Sequence, residues 1–142
     1  QRQRQYLGST SEEEERAARY CEQHSVPEHE VLVRVREDTE RRMAGRAHML
    51  SGHSQAALIA MLLKLSGARH VLELGCFTGY TTLAMAEALS ATGGHVTTVE
   101  RDLEMAEIAQ KNFEMSPWAP HISLEIGDAM EVVQQIPGGG PN

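Results

Sequence analysis

Apolar residues recur along this chain with two different periods, and the change between them divides it. Up to about residue 45 the pattern is helical and sparse. Ser11-x-x-Glu14 forms a capping box ahead of a helix predicted to run to about Gln23, with Glu12 to Glu15 in its first turn, where the helix dipole favours negative charge. Pro27 suits the start of a second helix reaching about Met43. On that helix Val31, Leu32 and Val35 form a thin apolar stripe, and Arg34, Arg36, Glu37, Glu40 and Arg41 a charged face. Such a helix packs by one edge and leaves the rest solvated. Residues 1–9 are polar and read as a disordered tail.

Beyond residue 45, short apolar runs alternate with helical stretches. From about Ser54 to Leu65, Leu58, Met61, Leu62 and Leu65 fall at core spacing. Val71, Leu72 and Leu74 predict a buried strand over about 70–74, followed by a helix from about 79 to 90 that buries Leu83, Met85, Ala86 and Leu89. Gly93-Gly94 turns the chain into a second, β-branched strand, His95-Val96-Thr97-Thr98-Val99. Asp102 is a good N-cap for a helix over about 102–114 with Ile108, Ala109 and Phe113 inward. A third strand, 121–126, and a short helix, about 129–136, complete the pattern. Strand and helix in alternation predict an α/β fold with a parallel sheet of about three strands, Rossmann-like, behind a helical arm. The two parts are 1–45 and 46–142.

The chemistry concentrates at the strand ends. Glu73 and Gly75 close the first strand, Gly79 follows, and a helix then begins: a strand, a glycine turn and a helix N-terminus, where doubly wound folds hold nucleotide-like ligands. The spacing E-x-G-x-x-x-G is not the G-x-G-x-x-G of a dinucleotide site. Glu73 adds negative charge where a pyrophosphate would sit, so the turn suits a cationic ligand, of which S-adenosylmethionine is one. Glu100 ends the second strand, where Rossmann-type folds hydrogen-bond ribose hydroxyls. Nicotinamide cofactors use the same device, so Glu100 by itself does not discriminate. Gly127-Asp128-Ala129 forms a polar turn that could reach an adenine.

Composition narrows the field. A formal net charge of -7 at pH 7 argues against nucleic acid, which requires clustered Lys and Arg. No run approaches the ~18 apolar residues that span a membrane, and no signal-peptide core is present. Cys21 and Cys76, far apart, read as reduced thiols of a cytoplasmic protein. Cys76 sits near a helix N-terminus, which can lower a thiol pKa. Its other reading, a small residue filling a tight turn, is the better match to cysteine's usual behaviour. The spacing of His48 and His53 matches no helical ligand pair, and His24 and His29 fail the same test. Trp118 precedes the third strand, at the opposite end of the sheet from a ligand crevice, and reads as surface packing rather than adenine stacking.

With these residues in place the chain closely resembles a known family: the cation-dependent small-molecule O-methyltransferases of the catechol and caffeoyl-CoA type, within the class I S-adenosylmethionine methyltransferases. The matching stretches are Met49-Leu50-Ser51-Gly52-His53-Ser54-Gln55 leading into Met61 to Leu65, then Val71 to Thr81 with its E-L-G-x-x-T-G-Y-[ST] signature, Val96 to Glu100, and Gly127-Asp128-Ala129. Gln55-Ala56-Ala57 departs from the family's frequent Gln-Gly-Gln. The resemblance implies that Met49 to Ser51 lie near the methionine portion of S-adenosylmethionine. Glu73, Gly75 and Thr81 would line the methionine and sulfonium pocket, Glu100 would hold the ribose, and Asp128 and Ala129 would flank the adenine.

The family's metal ligands and catalytic lysine come from a fourth and fifth strand, whereas this sequence ends at Pro137-Gly138-Gly139-Gly140-Pro141-Asn142. The resemblance therefore implies a fold truncated after about three strands, with half of the cofactor site and none of the Mg²⁺ site. The expected function is methyl transfer to a hydroxyl of a small catechol-like acceptor, this chain being the cofactor-binding N-terminal part and inactive alone. The alternatives are a non-catalytic cofactor-binding or assembly module and, more distantly, a nicotinamide-binding domain. In the family's strand order, 3-2-1-4-5, ending at Asn142 leaves the first strand as an open apolar edge. That implies a homodimer or higher oligomer.

Overall fold

The computed structural model describes residues 12–135. Ser11 of the capping box, the tail before it and the stretch 136–142 lie outside the described residues. The elements are α1 Glu12–Gln23, α2 Glu30–Arg42, α3 His53–Ser66, β1 His70–Leu74, α4 Tyr80–Ser90, β2 His95–Glu100, α5 Leu103–Glu114, β3 Ile122–Ile126 and α6 Ala129–Gln135, with 3-10 turns at Ala47–Met49 and Ala119–His121. The strands form one parallel sheet in the order β1-β2-β3, with Val71 opposite Val96 and Val96 opposite Ile122. Parallel neighbours need a crossover, which α4 and α5 supply. The fold is the expected α/β arrangement, with β2 in the middle.

Alternation along the strands sorts their side chains. Val71, Val96, Ile122 and Leu124 join the core with Leu83, Met85 and Leu89 of α4 and Met105, Ala109 and Phe113 of α5. Ile108 packs against the same cluster, half-buried. Asp102 caps α5 as its sequence position suggested, its side chain accepting from Glu104 N and Met105 N. The arm shares this core: Val31, Leu32 and Val35 are buried and α2 packs on α4. Helix α2 begins at Glu30, three residues after Pro27, because the His29 side chain takes the N-cap and accepts from Val31 N. Trp118 is not a surface residue. It is buried edge-on against His29, with ring centroids 4.8 Å apart.

Two expectations of burial fail for one reason. Leu58, Met61, Leu62 and Leu65 of α3 are each at least half exposed, whereas Ala56, Ile59 and Leu63 supply that helix's share of the core. On β1, Leu72 and Leu74 are 41% and 54% exposed. Strand β1 is the sheet edge, and α3 packs against α4 beside it. Among the described residues nothing covers the flank these side chains face. Helical spacing reports which positions share a face; it does not report whether another element covers that face.

Candidate active-site crevice

The turn between β1 and α4 is built from uncommon backbone. Gly75, Phe77 and Gly79 all have positive φ, at 84°, 54° and 87°. Glycine adopts this region freely, whereas Phe77 does so at a cost of about 1–2 kcal/mol that its surroundings must offset. Part of the offset is visible: Phe77 N–H donates to Glu100 Oε2 at 2.9 Å, and Gly75 N–H donates to Val99 O at 2.8 Å. Gly79 is also sterically committed, because a Cβ there would lie inside contact distance of Phe113 Cε1 and 2.9 Å from its Cζ. The space beside Gly75 is open by contrast, with no heavy atom within 4 Å of where a Cβ would sit.

The two carboxylates predicted from the strand ends occupy different surroundings. Glu100 is buried, with one backbone N–H on each oxygen: Phe77 on Oε2, and Asp102 on Oε1 at 3.0 Å. A carboxylate has about four acceptor positions, so Glu100 retains capacity for a hydroxyl-bearing ligand. Glu73 points under the turn, toward the helix-covered face. Its Oε2 accepts from Thr82 Oγ1 at 2.5 Å and from Thr98 Oγ1 at 2.6 Å. Burial pushes the Glu73 carboxyl above its ordinary range, the two threonine hydroxyls pull it back, and the Glu100 charge adds to the rise. Cys76 is buried in the same turn and its thiol is pushed up to about 12, by desolvation first and then by Glu73 and Glu100. The helix N-terminus therefore does not activate it, and Cys76 is the small packing residue.

The remaining site candidates are spread over three stretches of the chain. Met49 is exposed at the end of the 3-10 turn preceding α3, and Ser51 is half-buried just after it. Thr81 stands in the first turn of α4, half-buried. Asp128 accepts from Met130 N at 2.8 Å at the start of α6, where Ala129 is the first helical residue. Gly127 N–H donates to Glu100 O at 3.1 Å, which ties the third strand end to the second.

Sequence reasoning missed the residues that hold the turn from behind. Thr78 is fully buried between two helices: its hydroxyl is 2.8 Å from Thr39 Oγ1 of α2, and its carbonyl accepts from Asn112 Nδ2 of α5 at 2.9 Å. Tyr80 OH donates to Glu28 Oε1 at 2.5 Å, and Arg36 pairs with the same carboxylate at 2.8 Å. Burial alone would raise the Glu28 pKa, but Arg36 and Tyr80 outweigh it and hold the group below its ordinary range. Arg46 lies 5.6 Å from the Phe77 ring centroid and pairs with Asp102 at 3.1 Å. The threonine of T-G-Y and the acid after Pro27 were visible in the sequence, yet nothing local says that they meet the arm.

The family model described as O-methyltransferase matches residues 22–141. A catechol O-methyltransferase from Niastella koreensis is 32% identical over 100 residues, 69% of this chain and 45% of its own length. An O-methyltransferase from Aspergillus hancockii is 29% identical over 96% of this chain and 54% of its own. A Streptomyces achromogenes O-methyltransferase involved in tomaymycin synthesis, solved with S-adenosylmethionine, superposes with a TM-score of 0.77 at 26% identity, covering 93% of this chain and 60% of that one. A methyltransferase from Podospora anserina, at 24% identity over 93% of this chain and 56% of its own, shares the fold with a TM-score of 0.84. The chain spans about half the length of the relatives it matches.

Proposed function

The chain belongs to the O-methyltransferase family, and we propose that its β1–α4 crevice holds S-adenosylmethionine for methyl transfer to a hydroxyl of a small catechol-like acceptor. The observation that carries this reading is the pairing of an open glycine turn at Gly75 with a clamped, incompletely satisfied carboxylate at Glu100. That combination suits a ligand with a vicinal ribose diol. With the buried Glu100 and the half-buried Glu73 beside the turn, it also suits a cation better than a pyrophosphate. S-adenosylmethionine supplies the electrophilic methyl group on its sulfonium. Glu100 would accept from the ribose hydroxyls, and Gly75 would let the backbone approach the methionine portion. Glu73 would add negative charge below it, with Met49, Ser51 and Thr81 on the same side and Asp128 and Ala129 beside the adenine. Catalysis would then rest on holding donor and acceptor in line.

Among the described residues no three His, Cys, Asp or Glu side chains converge to hold a metal ion. No described helix is long and apolar enough to cross a membrane. Cys21 and Cys76 are both free thiols, which supports a reducing compartment such as the cytoplasm. Calorimetry with S-adenosylhomocysteine and NAD tests the cofactor assignment: S-adenosylhomocysteine should bind more tightly, and the reverse order would overturn it. Glu100→Ala should weaken that binding by about 1–3 kcal/mol, the usual loss of a charged hydrogen-bond partner. Unchanged affinity would remove Glu100 from the ribose role. Binding without turnover on a catechol would favour a cofactor-holding module over an enzyme.

A further inference from the structure

The end of the arm and Arg46, the residue that follows it, meet the crevice at each residue that sets Glu100. The carboxylate is held by two backbone donors, Phe77 N–H and Asp102 N–H. Arg46, just past α2, touches both of those residues: its guanidinium lies over the Phe77 ring and pairs with the Asp102 carboxylate. Thr39 reaches the next residue of the turn, Thr78. The single Thr39 hydroxyl proton is directed to Val35 O at 2.7 Å, so the Thr78 hydroxyl is the donor between the two threonines. Glu28, locked by Arg36, takes the Tyr80 hydroxyl at the first residue of α4. Side chains from 28–46 therefore engage Phe77, Thr78 and Tyr80, in a turn whose Phe77 backbone is strained and needs external support.

We propose that segment 28–46, the end of the arm together with Arg46 that follows it, is a positioning element, which holds the 77–80 turn and through it the Glu100 carboxylate in the geometry that receives the cofactor ribose. Arg46 and Thr39 are the positioning residues, acting through Phe77, Asp102 and Thr78. Folding of the arm and cofactor binding are then coupled, each favouring the other by the same factor.

The test compares Arg46→Ala, Thr39→Val and Thr39→Ser with the parent chain by amide hydrogen exchange and by S-adenosylhomocysteine titration. Arg46 is partly exposed, so its truncation leaves no core cavity even if Thr39→Val folds poorly. Arg46→Ala and Thr39→Val should speed exchange at the Phe77 and Asp102 amides and weaken S-adenosylhomocysteine about fivefold or more. Exchange at Val96 in the middle strand should not change, and Thr39→Ser, which keeps the hydroxyl, should match the parent. Uniform acceleration that includes Val96, or Thr39→Ser behaving like Thr39→Val, would reduce these contacts to ordinary packing and overturn the inference. The affinity comparison rests on the cofactor reading above, whereas the exchange comparison needs no ligand. Failure of the parent chain to bind S-adenosylhomocysteine would sink that reading and leave exchange to decide the inference.

Discussion

Gly75→Ala and Gly79→Ala make a matched pair, because the two glycines share a backbone conformation and differ in the space around them. Their φ values are 84° and 87°, a region that costs an alanine about 1–2 kcal/mol. At Gly75 that is the whole penalty, since a Cβ meets nothing within 4 Å. At Gly79 the Cβ collides with the Phe113 ring, which is itself buried in the core against α5's neighbours and cannot swing away freely. Overpacking of this kind adds about 1–3 kcal/mol. The expected totals are about 1–2 kcal/mol for Gly75→Ala and about 2–5 kcal/mol for Gly79→Ala. With a urea m-value of about 2 kcal/mol/M, the midpoints should fall by roughly 0.5–1 M and roughly 1–2.5 M. The single tryptophan, Trp118, is buried against His29 and reports unfolding by fluorescence. Binding should invert the ranking: Gly75→Ala puts a methyl group into the open crevice and should lose more S-adenosylhomocysteine affinity than Gly79→Ala at a temperature where both are folded. Equal midpoint shifts would show that the Phe113 contact does not constrain Gly79. Unchanged ligand affinity in Gly75→Ala would move the ligand away from this turn.

Three further outcomes are expected. Glu28 is held below the ordinary carboxylate value of 4.5, so the stability it contributes is present above that pH and is lost as pH falls through its folded pKa. Glu28→Gln should therefore lower the denaturation midpoint near neutrality and converge with the parent in acid; a gap that persists in acid would contradict this. Glu73 is shifted the other way, so its favourable contribution exists below 4.5 and is lost as pH rises through its raised folded pKa. Relative to the parent, Glu73→Gln should gain stability as pH rises through that window, and a relative loss there would show that the desolvation penalty is already relieved. The open β1 edge, with Leu72 and Leu74 exposed, should drive pairing with a second copy, so Leu72→Lys should reduce self-association seen by light scattering. A parent chain that stays monomeric at micromolar concentration would refute the edge as a contact.

What could be read from the residues alone was local. Period and turn stereochemistry located the helices and strands within a few positions, because alternation, an Asp102 cap and paired glycines act over one or two turns of chain. The acids at 73 and 100 were legible for the same reason: each follows directly on an apolar run, and a strand end is the place where a parallel sheet exposes its ligand crevice. The pairings that arm the crevice were not legible. Thr98 faces Glu73 only because β1 and β2 pair in that register, and Thr82 completes the site only because α4 crosses that face of the sheet. Thr39 meets Thr78, Glu28 meets Tyr80 and Trp118 meets His29 across long sequence separations. Hydroxyl, carboxylate and indole groups carry no periodic signal of such partners.

The leucines of α3 mark the same boundary from the other side. Their spacing declares an apolar face, but burial depends on whether another element arrives to cover it, and at the β1 edge none of the described residues does. The sequence by itself determined which segments form helices and strands and which acids close the strands, since those follow from short-range sterics and hydrophobic period. Only the tertiary structure decided what braces those strand ends and which apolar faces stay open, because both depend on contacts between segments that the chain must first bring together.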